Sequence, residues 1–107
     1  MIFIFKHIVP TGYDGITLFP FIFLRTKKLK EDSILINHEK IHLKQQLELL
    51  IIFFYLMYIL EWLFKLIVYK NFNSAYLNIS FEREAYQNEN NKNYIKNRKL
   101  WAFLNYI

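Results

Sequence analysis

The sequence predicts one α+β domain, mostly α, with an N-terminal β-hairpin and then a helical body. Three observations lead there. Two β-branched and aromatic runs, "IFIFKHIV" and "ITLFPFIFLR", flank the turn-forming "TGYDG" within the first 25 residues. From Ile34 to Lys70 no glycine or proline interrupts a helix. The chain has 107 residues with only two glycines and two prolines, enough for a single modest core with little linker.

Taken in order, residues 2–9 read as a first strand, ended by Pro10, and residues 16–25 as a second, so that residues 1–25 form the hairpin. Pro20 lies inside the second run. It has no N–H to give a ladder, which argues for an edge strand or a bulge. "TKKLKEDS" at 26–33 is a polar loop, in which Asp32 or Ser33 can cap the next helix by accepting its free N–H groups.

The second segment, residues 33–70, contains "LLIIFFYLMYIL" at 49–60, apolar on every side. Such a helix is buried in protein or in lipid. That run is short of the about 20 residues a bilayer needs. Extending it to Tyr69 reaches the length but takes in Glu61 and Lys65, four apart and ordered as a helical ion pair. Tyr58, Trp62 and Tyr69 suit a membrane interface. After "NFNS", residues 75–89 form a third helical segment capped by Ser74, and "NENNKN" at 88–93 is a solvated loop. Residues 94–105 form a short amphipathic helix with Leu100, Phe103 and Leu104 on its apolar face.

Composition narrows the chemistry. There is no cysteine, so disulfides, thiolate ligands and thiol nucleophiles are excluded, and any metal must be held by His, Asp or Glu. Net charge is +5, but the basic residues are scattered apart from "RTKKLK" at 25–30, which suits the flank of an anionic membrane better than a nucleic-acid surface. The start, "MIFIFKHIVP", lacks a signal peptide's cleavage site. With 54% hydrophobic residues, association with a membrane is the expected location.

The chemically loaded stretch is "INHEKIHLKQQ" at 36–46. On a helix, His38 and His42 project from one face, one turn apart. Two imidazoles so arranged can grip one metal ion, and Glu39 between them can reach a water beside it. This is the HExxH pattern, in which the histidine pair binds zinc and the glutamate is the general base. A catalytic zinc ion takes a third protein ligand and keeps one open position. "FEREAY" at 81–86 offers Glu82 and Glu84, and His7 on the first strand is a weaker candidate.

With "HEKIH" and "FEREAY" together, residues 31–90 resemble the gluzincin metallopeptidases, above all the membrane-integrated groups such as prenyl-protein endopeptidases and β-lactam sensor peptidases. The chain also resembles small uncharacterised bacterial proteins with the same plan, a likeness that assigns no activity. The resemblance implies a zincin-like helical core and a peptide or protein substrate. It also implies a Zn2+ site of His38, His42 and Glu82, with Glu39 as base and Ala85 at the small position of the second motif. Tyr86 stands where those families have an aspartate that orients a ligand histidine. A tyrosine there can orient a ligand or steady an oxyanion but supplies no charge to an imidazole. The run "ITLFPFIFLR" would pair with extended substrate by strand addition. The other function these residues could serve is a non-catalytic, membrane-associated metal-binding or structural module.

Geometry makes one demand on this scheme. A straight helix from His42 would carry Lys70 about 42 Å away. The chain from Lys70 to Glu82 could return about 40 Å only if fully extended. A break or sharp kink between Ile51 and Glu61 is therefore expected, making a helical hairpin.

Overall fold

Proline shapes the N-terminal sheet. In the computed structural model, which describes residues 1–107, the run after Gly15 is two strands rather than one. Strands β1 (Ile2–Ile4), β2 (Gly15–Leu18) and β3 (Phe21–Leu24) form a sheet of order β1-β3-β2. β2 and β3 run antiparallel, with Gly15 opposite Leu24 and Leu18 opposite Phe21, and the cis Phe19–Pro20 peptide forms the tip. β1 adds to the other side of β3 in parallel, Ile2 opposite Ile22. The expected hairpin between residues 2–9 and 16–25 is thus corrected. The hairpin lies within 15–24, because a residue without an N–H serves better as a turn than as a rung.

Helix α1 (Ser33–Glu48) starts where expected: the Asp32 side chain accepts from Leu35 N at 3.0 Å. Its buried face is polar, with Ile41 among Asn37, His38, Glu39, His42, Gln45 and Gln46. α1 lies between the edge strand β2 and helix α4 (Ser80–Asn88). Asn37 fixes that pairing, its amide reaching the carbonyls of Glu89 at 2.8 Å and Asn91 at 3.0 Å.

The break comes at residues 49–51, at the N-terminal edge of the expected window. Leu50 and Ile51 have φ of 54° and 64°. Ile51 N donates to Gln46 O at 2.7 Å, the long closing bond of a Schellman-type C-terminus. Side chains at positive φ cost roughly 1–2 kcal/mol each. What offsets this is the core beyond: Phe54, the one buried residue of α2 (Ile52–Tyr69), packs with Ile79, Phe81 and Phe103.

The expected 75–89 segment is split. Asn71, not Ser74, caps a short α3 (Phe72–Leu77), its side chain accepting from Ser74 N at 2.9 Å. Ile79 is extended, and α4 then begins at Ser80. The expected helix at 94–105 is likewise two pieces, α5 (Tyr94–Asn97) and a 3-10 turn (Ala102–Tyr106). The chain leaves the helix at Arg98 because buried carboxylates hold its guanidinium. Phe103 is buried, while Leu100 and Leu104 face solvent.

Candidate metal centre

α1 and α4 bring three atoms together. His42 Nε2 lies 3.2 Å from His38 Nε2 and 3.1 Å from Glu82 Oε1, and His38 Nε2 is 3.3 Å from that same oxygen. His38, His42 and Glu82 are all buried, and their ligand atoms lie within 4.8 Å of one another, so this group could hold a metal ion.

The outer atoms of the same side chains show how the rings are held. His38 Nδ1 faces Glu89 Oε1 at 2.8 Å, and His42 Nδ1 faces Gln45 Oε1 at 2.8 Å. The Gln45 amide has only one workable orientation. Its Nε2 donates to Phe81 O at 3.0 Å and Glu84 Oε1 at 2.9 Å, both acceptors, so its oxygen must face His42. His42 Nδ1 therefore carries a proton. His38 Nδ1, against a carboxylate, does the same. In the neutral imidazoles both Nε2 lone pairs then point at a carboxylate oxygen, and three acceptors meet with no donor among them. Only a cation reconciles them. In the metal-free protein a proton does so. Burial lowers the basicity of His42, but Glu82 beside it outweighs this and raises its pKa to about 9. Burial likewise opposes ionisation of Glu82, yet His42 and His38 hold its carboxyl well below the usual range.

No family model matches the chain, and no curated protein or solved structure matches it. The site's own geometry must carry the functional reading.

The other expected residues fall as follows. Glu39 is not one of the converging three; it lines the same cavity of about 300 Å³. Thr17 Oγ1 donates to its Oε1 at 2.6 Å. Glu84, the alternative ligand, is fully buried beneath Arg98 and takes no part in the cluster. His7 falls in the turn after β1, exposed and outside the cluster. The Tyr86 ring packs edge-on against His38 at 4.4 Å between centroids, and its hydroxyl pairs with that of Tyr76 at 2.9 Å.

Sequence reasoning missed four partners. Glu89 occupies the histidine-orienting role sought at Tyr86, one turn further along. Its spacing of seven from Glu82 was a usable signal, since residues two helical turns apart share a face. Gln45, three residues after His42, was equally local. Tyr58, donating to Glu82 Oε2 at 2.6 Å, and Thr17 come from distant elements, and no spacing announces them.

Proposed function

We propose that the chain is a zinc-dependent metallopeptidase-like hydrolase of gluzincin type, with His38, His42 and Glu82 as ligands and Glu39 as general base. One observation carries this reading: three buried acceptor atoms converge while the far side of each ligand is already bonded. A tetrahedral zinc ion with bonds of roughly 2.0–2.1 Å sets its ligand atoms about 3.3–3.4 Å apart. The separations of 3.1–3.3 Å fit that with little movement. Nitrogen–nitrogen–oxygen sets suit zinc among the common metals.

Zinc, when held, supplies Lewis acidity, polarising a carbonyl and making water a nucleophile near neutral pH. The chain's own groups do the rest. Glu39 takes a proton from water and passes it to the leaving amine. Its Oε1 is tied to Thr17, so the free oxygen, Oε2, is the one that works. That oxygen lies on the side of Gly15, where a Cβ would stand 3.6 Å from it. Tyr58 and Glu89 keep Glu82 and His38 in line, and Tyr86 positions Tyr76 at the cavity wall. β2 is the sheet's edge beside the cavity; Gln46 takes Thr17 O and the Phe19 N–H there, so an extended peptide would add at its Gly15 end.

The outer face of α2 supports membrane association. Ile52, Phe53, Leu56, Leu60, Phe64 and Ile67 are exposed. Glu61, by contrast, turns inward to Ser80, bonding its N at 3.1 Å and its Oγ at 2.5 Å. The apolar strip thus carries no acid, and the net charge of +5 favours an anionic lipid surface.

Glu39→Gln tests the mechanism. It should keep zinc and lose hydrolysis of a generic peptide library. Unchanged turnover overturns the base assignment, and zinc without cleavage in the wild type identifies a binding module instead.

A further inference from the structure

Arg98 lies far from the metal cluster in sequence and contacts none of its three ligands, yet a continuous buried chain of hydrogen bonds joins them. Its guanidinium grips two carboxylates at once. Nη1 and Nη2 bond Glu48 at 2.6 and 3.1 Å, while Nε and Nη2 bond Glu84, the latter at 3.0 Å. Tyr94 adds its hydroxyl to Glu84 at 2.6 Å. Glu84 accepts from Gln45, and Gln45 accepts from His42.

We propose that the C-terminal segment is part of the metal centre: Arg98, acting through Glu84 and Gln45, keeps a proton on His42 Nδ1, so that Nε2 is the nitrogen left for a metal ion. The inference rests on the metal-centre reading above and names three positioning residues for it.

The weak point it guards is the Gln45 amide. Rotating that group by half a turn exchanges oxygen and nitrogen with almost no change in shape. The flipped amide would donate to His42 Nδ1. His42 would then carry its proton on Nε2, the atom that faces His38 and Glu82. A protonated Nε2 cannot ligate. The flip is opposed by two acceptors on the other side, Phe81 O and Glu84 Oε1, and losing either lowers its cost. Phe81 O belongs to the backbone and stays. The Glu84 carboxylate stays because Arg98 and Tyr94 hold it, and both belong to the tail. Arg83, whose Nη1 bonds Tyr106 O at 2.6 Å, tethers the same tail without touching Glu84.

The experiment measures Zn2+ affinity of the full chain by competition with a chromophoric chelator, alongside thermal unfolding of the metal-free protein. It compares wild type with Gln45→Leu, Arg98→Lys, Glu84→Gln and Arg83→Met. The 15N shifts of His42 in the zinc-loaded proteins report which ring nitrogen holds the metal. Gln45→Leu should weaken zinc at least about tenfold, the usual loss when a ligand histidine's outer partner is removed. Arg98→Lys and Glu84→Gln should weaken it in the same direction, with a second His42 signal, from the unligated ring, at zinc concentrations that saturate the wild type. Arg83→Met should loosen the tail and leave zinc affinity and the His42 spectrum as they are. If Arg98→Lys does not fold, Gln45→Leu and Glu84→Gln decide. Wild-type zinc affinity in those variants overturns the relay, as does an equal loss in Arg83→Met. A wild type that binds no zinc removes the metal centre itself, and the relay with it.

Discussion

Adding zinc to the metal-free protein, and repeating the measurement on Glu82→Gln, probes the centre through stability alone. The folded chain pre-assembles ligands that lie 40 residues apart in sequence between His42 and Glu82, so the unfolded chain offers no equivalent site. Zinc binding is then linked in full to folding. At a free concentration a thousandfold above Kd the gain is about 4 kcal/mol. Unfolding entropy is about 2.1 cal/mol/K per residue, so a chain of 107 residues should melt roughly 18 °C higher with zinc than with a chelator. Glu82→Gln keeps the shape of the side chain but exchanges an anionic ligand for a neutral amide. A loss of about a hundredfold in affinity removes about 2.7 kcal/mol, or roughly 12 °C of that shift. Far-UV circular dichroism melts of each protein, with excess zinc and with chelator, give the two differences. No shift in the wild type, or the same shift in Glu82→Gln, refutes the reasoning.

Three further outcomes follow from the packing. Arg98→Met leaves Glu84, which has no exposed surface, without its cation, and should cost about 3–5 kcal/mol in urea denaturation; a loss near zero would mean the pair contributes nothing. At Gly15→Ala the new Cβ would meet Leu24 Cδ2 at 3.1 Å and the Phe23 backbone oxygen at 3.3 Å. Because the carbonyl belongs to the paired strand, about 1–3 kcal/mol of stability should be lost, and an unchanged denaturation midpoint would contradict the close approach. Phe64→Glu alters a side chain that is 63% exposed on the outer face of α2, so the fold should survive. Cosedimentation with anionic vesicles should fall at least about tenfold, and equal partitioning of mutant and wild type would remove the membrane proposal.

Local patterns were legible in the sequence, and reversals of the chain were not. The cap at Asp32 and the shared face of His38 and His42 depend on neighbours within one helical turn. Glu82 was found through its motif, since nothing in the periodicity of α4 ties it to α1. The need for a helix break came from simple distances, but its place did not. Leu50 and Ile51 adopt positive φ without a glycine, because the burial of Phe54 against Phe81 outweighs the local cost. Pro20 was visible, yet whether it bulged a strand or turned one depended on β1 covering the far side of β3. The tail was misread for a similar reason. Residues 94–105 were read as one helix from their apolar residues, and only the fold supplies the two acids that draw Arg98 in.

The polar face of α1 is hard to explain as packing. Asn37, His38, Glu39, His42, Gln45 and Gln46 are all buried, where aliphatic residues would pack as well without costing desolvation. Every buried polar side-chain atom has a partner, and many of the partners come from distant elements. Gln46 holds the carbonyl of Thr17 and the N–H of Phe19 at 2.8 Å each, and Gln45 holds α4. A network so complete specifies one arrangement of β2, α1 and α4. Among all these pairings, only the contact of His38, His42 and Glu82 sets acceptor against acceptor in the neutral rings. The rest of the network holds that one mismatch in place. In the metal-free protein a proton on His42 resolves it as a buried ion pair with Glu82, and a metal ion is the other cation these three atoms could hold.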